Sequence, residues 1–145
     1  MAKKGGATAK AVDALQEALD AEMAGVALYT HLAFRVFGPQ RNAIVAHLRA
    51  QAAESLDHAA AVGDRMTMLG AVPSVTARVD LEHAPTGLEE ILRISLVHER
   101  EAVDCYRAVL AAAGDDIPLE EFARKMVATE TDHASELEKM LRPMG

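Results

Sequence analysis

Apolar side chains recur at alternating steps of three and four residues along four stretches of the chain. This spacing places them on one face of a helix. It predicts four long helices, A to D, over about residues 10–37, 40–69, 87–113 and 116–141. Glycine and proline, which end helices, separate them at Gly38-Pro39, Gly70 and Gly114. The pattern therefore indicates an all-α protein.

The connections between these helices predict how they pack. The A–B and C–D connections are short, so each pair of helices should form an antiparallel hairpin. Residues 71–86, with Pro73 and Pro85, are too many for a tight turn and too irregular for a helix. They predict a long B–C crossover in a four-helix bundle over residues 10–142. Residues 1–9 are interpreted as a flexible N-terminus.

Composition narrows the class of protein. The 145 residues are enough for one domain, and only 3% are aromatic, so the core should consist of aliphatic side chains packed between helices. The net charge of −7 argues against nucleic-acid binding, and a solvated terminus is the favoured role for Lys3, Lys4 and Lys10. No signal peptide or membrane segment is evident. The single Cys105 fits a reducing compartment, so we expect a cytoplasmic protein.

Charged and polar residues interrupt the apolar faces in two similar sets. Each set contains two glutamates and a histidine, with a tyrosine seven residues after the first glutamate. The first glutamate lies 36 residues before the histidine in one set and 34 in the other. The first set is Glu22, Tyr29, Glu54 and His58, and the second is Glu99, Tyr106, Glu130 and His133.

Buried carboxylates are costly unless positive charge neutralises them. Two divalent ions would carry +4 against the −4 of the four glutamates, and two neutral imidazoles would complete the ligands. Glu130-x-x-His133 places two ligands at i and i+3 on one helix face. Mixed carboxylate and imidazole ligands suit iron or manganese better than copper. The sets therefore predict a two-metal centre inside the bundle, as in di-iron carboxylate bundles.

At these residues the chain resembles the ferritin-like superfamily, and within it bacterioferritins and related mini-ferritins. The resemblance covers about residues 11–140. It implies that Glu22 and Glu99 each bind one metal terminally, and that Glu130 bridges the two metals. His58 and His133 would each bind one metal. It also implies two iron ions, with manganese or zinc as possible substitutes.

The chain departs from the pattern of these relatives in three places. The bridging glutamate of helix B is expected three residues before His58, where this chain has Ser55, and Glu54 lies one residue earlier. Either a π-bulge brings Glu54 inward as a ligand, or the site is asymmetric. In the second case Glu54 faces the interior of the hollow protein shell that these relatives form. Leu56 stands where bacterioferritins have the haem-ligating methionine, so haem is not expected there. Only twelve residues follow His133, which favours a dodecamer or a dimer over a larger cage.

The function implied by the resemblance is that of a ferroxidase. Such a protein oxidises Fe(II) with O2 or H2O2 and stores Fe(III) inside a hollow homo-oligomer. One alternative on the same bundle is a rubrerythrin-like peroxidase or a di-metal oxygenase. Another is a DNA-protecting protein of the Dps type, although DNA binding is not expected from the charge. The other histidines, at positions 31, 47, 83 and 98, are interpreted as solvated.

Overall fold

Four α-helices account for most of the chain in a computed structural model. The structure describes residues 2–145, apart from the side chains of residues 2–4 and 7. The helices are α1 (Ala2–Ala33), α2 (Arg41–Met68), α3 (Leu88–Ala112) and α4 (Ile117–Leu141). Within this described range no strand occurs, which confirms the all-α prediction. None of the helices in this range combines the length and the apolar sequence that a membrane span needs.

Local interactions explain several of the helix ends. The Asp116 carboxylate accepts a hydrogen bond from the Leu119 backbone N–H at 3.0 Å and so caps α4. Gly70, the second residue after α2, has φ +81°, a conformation that favours glycine at the end of a helix. At the start of α3, Glu90 accepts a hydrogen bond from the Thr86 backbone N–H at 2.8 Å. The Glu89 carboxylate, one residue earlier, forms an ion pair with Arg93.

Contacts across the bundle show how the helices are oriented. Tyr106 contacts Glu22, and Glu99 contacts Tyr29, so residue numbers rise along α1 as they fall along α3. The two helices are therefore antiparallel. Helix α1 also packs against α2, and α3 against α4, as the hairpins predict. Residues 69–87 form the irregular crossover between the hairpins.

The hydrophobic core is divided into two blocks along the bundle axis. One block includes Leu15, Val62, Val109 and Met126. The other block lies beyond the polar residues on every helix and consists of two clusters, one with Leu32, Leu48 and Ile91 and the other with Leu137. The predicted metal ligands fall between the two blocks on all four helices. The apolar packing of both ends therefore holds the central side chains in place.

The N-terminal helix starts earlier than the periodicity predicts. Helix α1 begins at Ala2 rather than near Lys10, so residues 2–9 are helical. Alanine and lysine favour helix strongly enough to extend it through Gly5 and Gly6. The side chains of Lys3 and Lys4 lie outside the described residues, and flexibility of residues 1–9 stays a prediction. At its other end α1 stops at Ala33, where the Phe34 N–H bonds to the His31 carbonyl in a tighter turn.

Glycine at position 25 allows side chains of two other helices to lie close to α1. A Cβ atom there would lie 2.7 Å from His98 Nε2 and 2.8 Å from Ser55 Oγ, well inside van der Waals contact. Gly63 also lies within a helix, but a Cβ there would meet only Pro73 Cγ at 3.9 Å. Gly25 thus lets three helices approach at this level of the bundle, whereas Gly63 has room for a side chain.

We expect Gly25→Ala and Gly63→Ala to change stability in opposite directions. Both gain about 0.5–1 kcal/mol because alanine favours helix over glycine, but Gly25→Ala also suffers overpacking of about 1–3 kcal/mol. Urea unfolding of the metal-free proteins, followed by circular dichroism at one protein concentration, measures the difference. Equal stability of the two variants would contradict the close packing around Gly25.

Candidate metal centre

Three glutamates from three helices meet at the centre of the bundle. The side chains of Glu22 (α1), Glu99 (α3) and Glu130 (α4) are only 3–4% exposed. His58 from α2 and His133 from α4 lie beside them, with side chains 15% and 20% exposed. These five are the predicted ligands other than Glu54. The residues that the sequence places on the apolar face of each helix therefore meet at the centre of the structure.

The side chains form two groups that share Glu130. In one group His58 Nδ1 lies 3.2 Å from Glu22 Oε1 and 2.9 Å from Glu130 Oε1. In the other, His133 Nδ1 lies 3.6 Å from Glu99 Oε2 and 3.4 Å from Glu130 Oε2. Within each group the candidate ligand atoms all lie within 4.8 Å of one another. Glu130 thus turns one oxygen toward each group.

Two tyrosines connect the repeats by crossing from one to the other. Tyr106 donates a hydrogen bond to Glu22 Oε1 at 2.7 Å, and Tyr29 donates one to Glu99 Oε1. Each tyrosine therefore bonds to the glutamate of the opposite hairpin. The two-turn spacing along one helix is about 10 Å, too long for a tyrosine to reach its own glutamate. The bonds fix both carboxylates between α1 and α3.

The negative charge of the buried glutamates raises the pKa values of the two neighbouring histidines. Burial lowers the pKa of His58, but hydrogen bonds to Glu130 and Glu22 outweigh it and raise the pKa to about 10. Glu130 and Glu99 likewise raise the pKa of His133 to about 10 against the effect of burial. The raised pKa values stabilise the metal-free fold below pH 6.5, and this contribution is lost as the pH approaches 10.

The pKa values of Glu99 and Glu130 shift in opposite directions. Burial raises the pKa of Glu99 above its ordinary value. Burial acts in the same direction on Glu130, but hydrogen bonds from His133 and His58 lower its pKa to about 2. Burial and the neighbouring carboxylates raise the pKa of Tyr29 and Tyr106, so both phenols stay protonated and donate.

Glu54 lies outside the two groups of convergent ligand atoms. Its side chain is 38% exposed, and it faces the Nε2 atoms of His58 and His133 rather than their Nδ1 atoms. Helix α2 continues as an α-helix through this region, so the π-bulge considered from the sequence does not form. Ser55 is buried, but its short side chain cannot replace the carboxylate of a bridging glutamate.

Two histidines interpreted as solvated have other surroundings. His98 is 8% exposed and packs edge-to-face on Tyr29, with ring centroids 5.6 Å apart, so the solvated interpretation is wrong for it. The side-chain-free surface of Gly25 makes room for this ring. His47, together with Gln51, lines a cavity of about 80 Å³ that reaches Glu99 and His133. Neither His98 nor His47 has a partner at ligand spacing in the sequence, so the sequence pattern does not predict their surroundings.

The donor atoms suit hard or intermediate divalent metals. Carboxylate oxygens and imidazole nitrogens are ligands for iron, manganese and zinc. In the metal-free state, protonated histidines balance much of the carboxylate charge, and metal cations would replace those protons. The five residues therefore fit a pair of metal ions that share Glu130.

The comparison with known proteins defines the family. The family profile for the ferritin-like domain matches residues 12–144. The chain therefore belongs to the ferritin-like family. The search of curated proteins found no match to the sequence.

Solved structures share the fold at low sequence identity. The ferritin-like diiron-carboxylate protein of Bacillus anthracis str. Ames superposes with a TM-score of 0.85 at 22% identity, covering 94% of this chain and 98% of that one. The dodecameric thioferritin of Bacteroides fragilis, a bacterioferritin-related protein, superposes with a TM-score of 0.80 at 25% identity, covering 92% of this chain and 85% of that one. The bacterioferritin of Desulfovibrio desulfuricans gives 0.83 at 17% identity, covering 93% and 80%.

Metal binding should release protons. The pKa values of His58 and His133 near 10 keep both rings protonated at pH 7 in the metal-free protein. Metal at Nδ1 must displace those protons, so apparent affinity should rise about tenfold per pH unit for each ion below pH 8. Calorimetry with Co(II) in buffers of different ionisation enthalpy counts the protons, and we expect about two per chain. Binding without proton release would contradict this assignment.

Proposed function

We propose that the protein is a ferroxidase that oxidises Fe(II) with dioxygen or hydrogen peroxide and stores Fe(III) in a hollow homo-oligomer. One observation carries the proposal: Glu130 is buried between two Glu/His groups and directs one carboxylate oxygen to each. A shared carboxylate brings two Fe(II) ions close enough to react with one oxidant molecule. The free Cys105 fits a reducing compartment, so we propose a cytoplasmic location.

The residues of the site have separate roles in this proposal. Glu22 and His58 bind one iron, Glu99 and His133 bind the other, and Glu130 bridges them. Tyr29 and Tyr106 hold the terminal carboxylates by hydrogen bonds across the bundle. Their phenols also keep the carboxylates oriented when iron leaves the site.

The chemistry requires two electrons, and two Fe(II) ions supply them. With two protons, these electrons reduce hydrogen peroxide to two water molecules or dioxygen to hydrogen peroxide. The cavity beside Glu99 and His133 offers a route for small molecules to the second group. Its volume of about 80 Å³ exceeds what one water needs but is far below the roughly 300–1,000 Å³ of typical ligand pockets. That size favours a small oxidant over the organic substrate of an oxygenase.

The assembly of a related protein supports the storage part of the proposal. The related thioferritin of Bacteroides fragilis is dodecameric, and its structure matches 92% of this chain. We propose a dodecamer for this chain. The net charge of −7 suits attraction of Fe(II) and disfavours the DNA-protecting alternative.

Removal of the shared carboxylate should abolish rapid iron oxidation. We expect Glu130→Ala to lower the initial rate of Fe(II) oxidation by at least about 100-fold, because both irons lose a ligand. Stopped-flow absorbance with dioxygen or peroxide measures the rate, and circular dichroism checks the fold. Glu121→Ala, at an exposed position of α4, is the matched control. Equal rates for the two variants would contradict the assignment.

The size of the assembly separates storage from the other enzyme class. Multi-angle light scattering should give about 186 kDa, twelve times the 15.5 kDa chain. After iron loading, each soluble particle should retain hundreds of Fe(III) ions or more. A monomer or dimer that retains no mineral would contradict storage and favour a rubrerythrin-like peroxidase.

A further inference from the structure

The Glu54 carboxylate lies between the outer edges of the two histidine rings. Its Oε1 is 3.6 Å from His58 Nε2, and its Oε2 is 3.2 Å from His133 Nε2. One carboxylate from α2 thus faces a ring on its own helix and a ring on α4. Both rings turn their other nitrogen, Nδ1, toward the buried glutamates.

This arrangement matters because a metal-binding imidazole uses one nitrogen and keeps its proton on the other. If metal binds at Nδ1, the neutral ring carries its hydrogen at Nε2. A carboxylate that accepts this N–H fixes both the tautomer and the orientation of the ring, and makes the ligand more basic. Glu54 places one oxygen near each Nε2, at 3.2 Å from that of His133 and, slightly beyond hydrogen-bond distance, at 3.6 Å from that of His58. A small shift of its side chain would let it accept from both rings.

The net charge of the proposed two-metal centre is a second reason to assign Glu54 to the site. The three buried glutamates supply −3, which leaves +1 when two divalent ions are bound by neutral histidines. Ser55, at the position where the resemblance places a bridging glutamate, adds no charge. Glu54 supplies a fourth negative charge immediately behind the rings. Its charge can thus be part of the site although the carboxylate is not among the convergent ligand atoms.

We propose that Glu54 is a positioning residue that accepts the Nε2–H of both metal-binding histidines and so joins the two halves of the centre. This inference rests on the proposed two-metal site, with His58 and His133 as ligands. It predicts that loss of Glu54 weakens both metal sites together. A ligand to one or both metals would instead change the number or coordination of bound ions.

The test compares Glu54→Ala and Glu54→Gln with Asp57→Asn. Asp57 is an exposed acidic residue on the same helix, so its variant controls for loss of nearby charge. Anaerobic titration with Co(II), followed by visible absorption, measures stoichiometry, affinity and coordination. In the Zn(II)-loaded proteins, nitrogen-15 NMR of histidine reports the protonated nitrogen and the protection of its N–H from exchange.

We expect two Co(II) per chain in the parent protein and in all variants. Glu54→Ala should weaken both sites by about 10- to 100-fold, with unchanged Co(II) spectra and with faster Nε2–H exchange at both histidines. Glu54→Gln has one carbonyl oxygen, so it should retain protection at only one ring. Asp57→Asn should match the parent.

Three outcomes would overturn parts of the account, and they are distinguishable. A fall to one Co(II) per chain, or an altered Co(II) spectrum, in Glu54→Ala would make Glu54 a ligand. Parent-like affinity and N–H protection in that variant would show that Glu54 has no role in positioning. Failure of the parent protein itself to bind Co(II) would instead refute the proposed function.

Discussion

The structure depends on the compensation of negative charge in the middle of a hydrophobic bundle. Glu22, Glu99 and Glu130 are almost fully buried between two apolar blocks, where an isolated carboxylate would be strongly disfavoured. Protonated His58 and His133 provide that compensation in the metal-free state, as their pKa values near 10 indicate. The same side chains carry the oxygen and nitrogen atoms of the proposed metal ligands. Charge compensation thus links the stability of the bundle to its proposed chemistry.

Hydrogen bonds across the bundle give the centre its symmetry. Tyr29 and Tyr106 join α1 to α3 through the glutamate of the opposite hairpin. Glu130 contacts both histidines and therefore both halves of the site. The departure from twofold symmetry is on α2, where Ser55 replaces a carboxylate and Glu54 lies behind the rings. The two proposed metal sites are therefore expected to be less equivalent than the repeat suggests.

Much of this arrangement follows from periodicity. Helical spacing places Glu22, Glu99 and Glu130 in the core registers, and the repeat of Glu and His along the chain predicts that the two sets meet. The helices, their short turns and the crossover follow from the same pattern together with glycine and proline. The structure confirms the all-α fold, and the family match confirms the ferritin-like class.

The remaining features depend on contacts between helices that spacing does not encode. A regular helix puts Glu54 and Ser55 on opposite sides of the His58 direction, but only packing against α4 determines that Glu54 faces His133. Likewise His98 is buried because Gly25, on another helix, leaves space for its ring. The partner of each tyrosine depends on the antiparallel pairing of α1 and α3. The early start of α1 reflects local propensity rather than the apolar pattern.

The most direct test of the account is the location of iron in crystals. Crystals soaked anaerobically with Fe(II), with diffraction recorded on both sides of the iron absorption edge, would show each ion by its anomalous scattering. The account predicts two iron peaks per chain, one among Glu22, His58 and Glu130 and the other among Glu99, His133 and Glu130. Iron confined to the protein surface, with no peak between the two hydrophobic blocks, would contradict it.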